Sequence, residues 1–201
     1  SVERRFDALY IMDVEEKNEL NETITGSLET ISVRNTVTRF ASRNMDSSFA
    51  AAYFPDVVLQ DPDPEAASTA VVRCPPSVPV LGALSNNDSI AHPWFAPAGF
   101  NRGVLESALY SQLNLNRDNL DDLYEVDINP ITSMPHTQGV IVFGQKTLLA
   151  AQSALDRINV RRLLIEVRRQ VRAVANSLLF EPNRESTLSA FSNSVTPILQ
   201  R

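Results

Sequence analysis

Apolar and polar positions along the chain predict a strand, a helix and a second strand before any chemistry is considered. Phe6-Asp7-Ala8-Leu9-Tyr10-Ile11-Met12-Asp13 is a compact apolar run rich in strand-favouring residues and closed by acidic positions, which predicts a buried strand. From Asn21 to about Met45 the residues Ile24, Leu28, Ile31, Val33, Val37 and Phe40 fall at helical spacings, although the many Thr and Val lower the propensity. Phe49 to Leu59 then reads as extended apolar structure interrupted at Pro55. Strand, helix and strand in that order predict a right-handed βαβ crossover and a partly parallel sheet.

Further along, eight of the twelve prolines lie between residues 55 and 97, where fixed φ and missing N–H groups disfavour long regular elements. The segment still carries Val71-Val72, Val80-Leu81 and Trp94-Phe95, too much apolar surface for a free linker. It is expected to be a Pro-rich insertion, residues 61–100, packed on a single domain spanning 1–201. Asn116 is placed to cap a short helix with Asp118, Asp121 and Asp122 near its positive end and Leu120, Leu123 and Tyr124 on one face. Gly139-Val140-Ile141-Val142-Phe143-Gly144 reads as a strand buried on both faces.

The longest helical pattern starts after Asn159, read as its N-cap, and places Val160, Leu164, Val167, Val171, Val174 and Leu178 on one stripe. Full burial of these six side chains would contribute on the order of 10 kcal/mol gross. Pro182 is expected to end this helix and Asn183 to cap another running through Leu188, Phe191 and Val195. The fold class is therefore α/β: a mixed β-sheet with flanking helices, a βαβ start, a Pro-rich insertion and a helical C-terminal part.

Composition narrows the chemistry. The 201 residues are 43% hydrophobic and 21% charged, ordinary for globular domains, and a chain of this length buries roughly 70% of its unfolded surface. A single cysteine, Cys74, excludes an internal disulfide framework and a Cys-based structural zinc site. No window approaches the ~18 apolar residues of a membrane span. The net charge of −6 argues against a nucleic-acid partner unless basic residues are gathered on one face.

Catalytic candidates are thin. His92 and His136 sit beside prolines with no Glu, Asp or Cys at ligand spacing, so both read as loop histidines. Cys74 has only Arg73 to lower its pKa and reads as structural. Gly139 to Thr147 imitates a P-loop, but Gln145 displaces Lys146 from its place after the second glycine, and Val-Ile-Val-Phe fills what should be a phosphate-cradling loop. Asp61 and Asp63, interleaved with prolines, read as a solvated turn. No cofactor or metal is implied.

The uneven feature is charge. Residues 160–175 hold Arg161, Arg162, Arg168, Arg169 and Arg172 against Glu166, a net +4 that leaves −10 for the rest. At 100° per residue Arg161, Arg168 and Arg172 flank the apolar stripe, with Arg162 and Arg169 extending it. This is either a solvated flank or a basic ridge that meets an acidic surface of a partner subunit.

Several segments, in order, resemble the tail sheath proteins of contractile bacteriophages and related injection systems. Asp46-Ser47-Ser48-Phe49-Ala50-Ala51-Ala52-Tyr53-Phe54-Pro55 is similar to the family's Ser-Ser-Tyr-Ala-Ala-x-Tyr-Tyr-Pro stretch. Pro75-Pro76-Ser77, Gly82 and Trp94-Phe95-Ala96-Pro97-Ala98-Gly99 follow its Pro-Pro-Ser, Gly and Trp-x-Ala-Pro-Ala pattern. Ile128-Asn129-Pro130-Ile131 and Gly139-Val140-Ile141-Val142-Phe143-Gly144-Gln145-Lys146-Thr147-Leu148 resemble its Ile-Asn-Pro-Ile and Gly-Ile-Val-Val-Trp-Gly-Ala-Arg-Thr-Leu segments, with Phe143 in place of the Trp. Ile158-Asn159-Val160-Arg161-Arg162-Leu163 and Phe180-Glu181-Pro182-Asn183 complete the series over residues 46–200, and the divergence of the motifs suggests a giant phage of the phiKZ type.

The resemblance implies a non-enzymatic structural subunit that polymerises around a tail tube and contracts to drive the tube through the host envelope. Its partners would be other sheath subunits, the tube protein and the baseplate, with no direct nucleic acid or membrane contact. Its location would be the virion tail, assembled in the host cytoplasm. Arg161, Arg162, Arg168, Arg169 and Arg172 would serve a tube contact or a sheath–sheath contact. The family's subunits are linked by terminal arms that add strands to a neighbour's sheet; by this resemblance the N-terminal arm and C-terminal linking strands are expected to be missing from these 201 residues. It is therefore expected to be a sheath core fragment, truncated or protease-resistant, that stays monomeric. A virion adhesin or other binding protein, and a virion hydrolase, are the competing classes.

Overall fold

A computed structural model describes residues 6–24, 30–61, 63, 70–133 and 139–200. The expected first strand is shorter than its apolar run: β1 is Tyr10–Asp13, while Phe6 turns away and sets its ring edge-on to Phe49 at 5.6 Å. The expected long helix is also shortened, α1 being Val33–Ala41. Asn18 explains the loss. Its side-chain oxygen takes the N–H groups of Leu20 and Glu22 at 3.0 and 2.9 Å, Asn21 adopts a φ of +62°, and Thr23 folds back to pair with Lys17. Local side-chain acceptors have captured donors that a helix would need. Leu28 lies outside the described residues.

After α1 come β2 (Ala50–Phe54), β3 (Val57–Gln60) and β4 (Val71–Cys74), the break between β2 and β3 being the cis Phe54–Pro55 bond. The proline-rich stretch then contains a regular helix of 14 residues, α2, Ser77–Ile90, contrary to the expectation of irregular structure. Pro79 lies in its first turn, where a missing N–H costs no intrahelical bond. The start of α2 is tied to the end of β1, since both Ser77 N–H and Ser77 Oγ–H donate to the Asp13 carboxylate at 2.7 Å. Val80, Ala83 and Leu84 of α2 enter the core, whereas Val71, Val72 and Leu81 stay exposed.

A short helix, α3 (Gly99–Arg102), leads to β5 (Val104–Leu105) and β6 (Ala108–Ser111); then follow α4 (Arg117–Glu125), β7 (Ile128–Ser133) and β8 (Val140–Val142). Asn116 caps α4 as expected, accepting the Asn119 N–H at 2.8 Å, and Leu123 is fully buried beneath it. The five-stranded sheet has the order β1-β2-β7-β8-β5 and a smaller antiparallel sheet the order β4-β3-β6. β1, β2 and β7 run parallel, which bears out the βαβ start, and β8 returns antiparallel to β7 and β5.

Pro130 sits at the changeover. β2 pairs with β7 through Pro130 and β8 pairs with β7 from Ile131 onward, so a residue without an N–H marks the point where one ladder yields to the next. The core forms on both faces of the large sheet. One side gathers Ala51, Tyr53, Val80, Leu84, Val140, Val142 and Ile158, the other Phe40, Ala52, Phe54, Leu123, Ile128 and Leu148.

The C-terminal part is a pair of helices, α5 (Ile158–Ser177) and α6 (Glu185–Leu199). Both expected helices exist, but neither expected cap acts as one. α5 is preceded by Arg157 and α6 by Arg184, without side-chain capping bonds, and the Thr187 hydroxyl donates to the Pro182 carbonyl at 2.9 Å. The expected burial of the α5 stripe is likewise corrected. Val160, Val167, Val171, Val174 and Leu178 are only half-buried and Leu164 is 44% exposed, because α5 packs chiefly on α6 and on the short 3-10 turn at Ala154–Asp156. Only Ile158 and Arg161, at its foot, are buried.

Candidate interaction surface

The motif residues of β2, β7 and β8 build the sheet. Asn129 donates from Nδ2 to the carbonyls of Ala52 and Lys146 at 3.0 and 2.8 Å and accepts the Lys146 N–H at 2.6 Å, so its amide is fully used between β2 and the segment after β8. The strand expected over Gly139–Gly144 is shorter, Val140–Val142 being buried while Phe143 lies outside it and is 44% exposed, and Lys146 is committed to the protein itself. Its Nζ donates to the Tyr124 carbonyl at 2.7 Å, pairs with Asp127 at 2.8 Å and lies 3.6 Å from the centre of the Tyr124 ring. A phosphate would have to displace all three partners.

The other candidates have equally local roles. His92 stacks on Trp94 at 4.4 Å in an exposed loop, and His136 lies outside the described residues. Asp61 accepts the Asp63 N–H at 3.0 Å, the bond of an Asx turn. Burial first, then the nearby Asp56 and Asp13 carboxylates, push the Cys74 thiol up, the opposite of an activated nucleophile. Among the described residues no group of three His, Cys, Asp or Glu could hold a metal, and no helix is long and apolar enough to cross a membrane.

One buried charge cluster was not visible in the sequence. Arg73 on β4 binds Glu16, which follows β1, and Asp56, which precedes β3, the latter at 2.7 Å. Asp56 N–H also donates to Glu16 at 3.0 Å. Two carboxylates share one guanidinium, and burial pushes both acids above their ordinary range despite the arginine. The cluster clasps the small sheet to the end of β1, a joining role.

The five arginines do not form one uniform ridge. Arg161 is buried against the Phe49 ring, 3.9 Å from its centre, and donates to the Ser48 hydroxyl. Burial first, then Arg168, pull its guanidinium down from its ordinary value. Arg162 donates from Nη2 to both carboxylate oxygens of Asp88 of α2 at 2.5 Å. Arg169 pairs within α5 with Glu166, which holds the Arg169 guanidinium above its ordinary value. That leaves Arg168, loosely over the Phe6 ring at 5.2 Å, and Arg172, which makes no ion pair among the described residues.

Arg168 and Arg172 border a groove of about 750 Å³ whose floor is Phe6, Phe49, Leu164, Ile165, Val171 and Ala175. Of the α5 residues lining it, Leu164, Val167, Val171 and Ala175 recur at three- and four-residue spacing, one face of the helix left uncovered. Exposed apolar side chains continue along the hairpin at Leu179, Phe180, Leu188 and Leu199. A surface of this kind, apolar with a cationic border, is suited to another macromolecule.

No protein-family model matches the chain. In fold it is similar to the helical sheath of the anti-feeding prophage in its contracted state, with a TM-score of 0.65 and 25% identity over 77% of this chain and 40% of that one. It is also similar to the contracted sheath complex of an extracellular contractile injection system, PVC, with a TM-score of 0.68 and 23% identity over 82% of this chain and 44% of that one. The α/β fold is thus the one found in contractile sheaths.

Within that class the sequence likeness is to tail sheath proteins of phages. The chain is 37% identical over 120 residues to that of Vibrio phage KVP40, 31% over 126 to that of Enterobacteria phage T4, and 34% over 120 to that of Salmonella phage ViI. The matches cover 60% to 63% of this chain and 18% to 19% of each relative, so the chain spans about a fifth of their length. The family resemblance drawn from the motifs is borne out.

Proposed function

We propose that the chain is part of the structural subunit of a contractile phage tail sheath, which polymerises around the tail tube and contracts to drive the tube through the host envelope. The observation that carries this reading is the likeness to tail sheath proteins of three phages, accompanied by a fold shared with contracted sheaths. The chemistry of the surface agrees with a structural role: Asn129 and Lys146, polar residues of the motifs, are consumed within the fold, and the open surface is apolar and cationic. On this reading the subunit is non-enzymatic. It works in the virion tail after assembly in the host cytoplasm, among other sheath subunits, tube protein and baseplate. Of the five arginines, Arg161 and Arg162 hold α5 in place, while Arg168 and Arg172 are the ones available to a partner.

The test is negative-stain microscopy of the full-length parent with and without its tube protein, beside the 201-residue chain at the same concentration. Striated tubes of uniform diameter from the parent, and single particles from the chain, are expected. A parent that forms no ordered array under either condition overturns the reading.

A further inference from the structure

The turn between α5 and α6 carries Phe180, which is fully exposed at 103% and holds a φ of +70°. A bulky residue in the left-handed region after a helix end is a position where glycine is the unstrained choice, so the backbone bears strain to present an aromatic ring to solvent. Leu179 beside it is 61% exposed. Glu181 and Glu185 flank this tip, neither in an ion pair among the described residues, with Arg184 between them. Along the flank of the same hairpin, from Arg161 to Ala175, lies the opposite surface: an apolar floor bordered by Arg168 and Arg172, with Asp7, itself already partnered, in an adjoining recess.

Resting on the sheath reading, we infer that the hairpin tip of one subunit inserts Phe180 into the α5 groove of a second copy, with Glu181 and Glu185 meeting Arg168 and Arg172. The two surfaces are complementary in both respects that matter: an exposed aromatic anchor for an apolar floor, and carboxylates for a guanidinium border that makes no ion pair among the described residues. They lie on the same hairpin, tip against flank, so the contact is head-to-tail. Contacts of that kind do not close on themselves in pairs and generate rings or helical arrays.

The experiment uses the full-length parent and reads array formation by pelleting and microscopy. Phe180→Gly relieves the strained φ, so its unfolding midpoint is expected to equal or exceed that of the parent, while array yield falls at least tenfold. A double reversal, Arg168→Glu with Arg172→Glu, is expected to lose arrays equally. Mixing a Phe180→Cys parent with a Val171→Cys parent should give a cross-linked dimer that neither gives alone. Arrays from Phe180→Gly as abundant as from the parent overturn the inference, as does cross-linking of Phe180→Cys to the tube protein in place of Val171→Cys. Either result leaves the sheath reading standing; a parent without arrays removes both.

Discussion

Gly144 passes so close to Asn129 that a Cβ placed on it would meet the Asn129 Oδ1 at 2.9 Å and Pro130 Cδ at 3.2 Å. The glycine is what lets the chain after β8 fold over the asparagine and donate the Lys146 N–H to it. Gly144→Ala should therefore separate these strands' ends, and the urea midpoint is expected to fall by the equivalent of about 1–3 kcal/mol. Asn129→Leu, which orphans one N–H and two carbonyls, should cost about 2–4 kcal/mol by the same measurement. A wild-type midpoint in either variant would contradict the network.

The cluster of Glu16, Asp56 and Arg73 gives a pH signature. Glu16 is held above its ordinary value by burial, so the folded chain binds more protons than the unfolded one between the ordinary value and the raised one. Its contribution is full below the unfolded value and is lost as pH rises through the folded one. Relative to Glu16→Gln, the wild type should gain stability as pH falls from neutrality to the ordinary glutamate value. Urea midpoints of the two proteins at several pH values are expected to diverge, and parallel curves would refute it. Arg73→Met should cost about 3–5 kcal/mol at neutral pH by leaving buried carboxylates without their cation.

The arginines of α5 should divide by role in the isolated chain. Arg161→Met removes a guanidinium from the Phe49 ring and a bond to Ser48, and the expected loss is about 1–3 kcal/mol. Arg169→Ala removes an exposed pair and should leave the unfolding midpoint unchanged. Equal losses in both would mean that α5 is not anchored at its foot as described.

Asn116→Ala should cost about 1 kcal/mol through the lost cap of α4. Its circular dichroism is expected to show a small helical loss with the sheet signal retained.

Elements that rest on local rules were legible in the sequence. The cap at Asn116, the buried strand at Val140–Val142 and the parallel pairing of β1 with β2 follow from side-chain acceptors, β-branched runs and connection length. Where the reading failed, a competing local or tertiary term won. Asn18 captured donors that helical periodicity assigned to a helix, and Pro79 fell in the one turn of α2 that tolerates it. Periodicity along α5 recorded an amphipathic face correctly but could not say what covers it. The five arginines looked alike because nothing near them in sequence reveals that Phe49, Ser48 and Asp88 converge on Arg161 and Arg162. Phe180 stands in a family-like motif, but its left-handed backbone leaves no signal in the sequence.

The attachment of the C-terminal hairpin also has a mechanical consequence. α5 is fixed at one end by Ile158, Arg161 and Arg162, while Leu179 and Phe180 at the other end touch solvent. Its 20 residues make an arm of about 30 Å. A tilt of about 10° at the foot, within the play of a few side chains, carries the tip by about 5 Å, nearly one helical turn. A small adjustment in the sheet would thus be magnified at the tip into a displacement comparable to one helical turn.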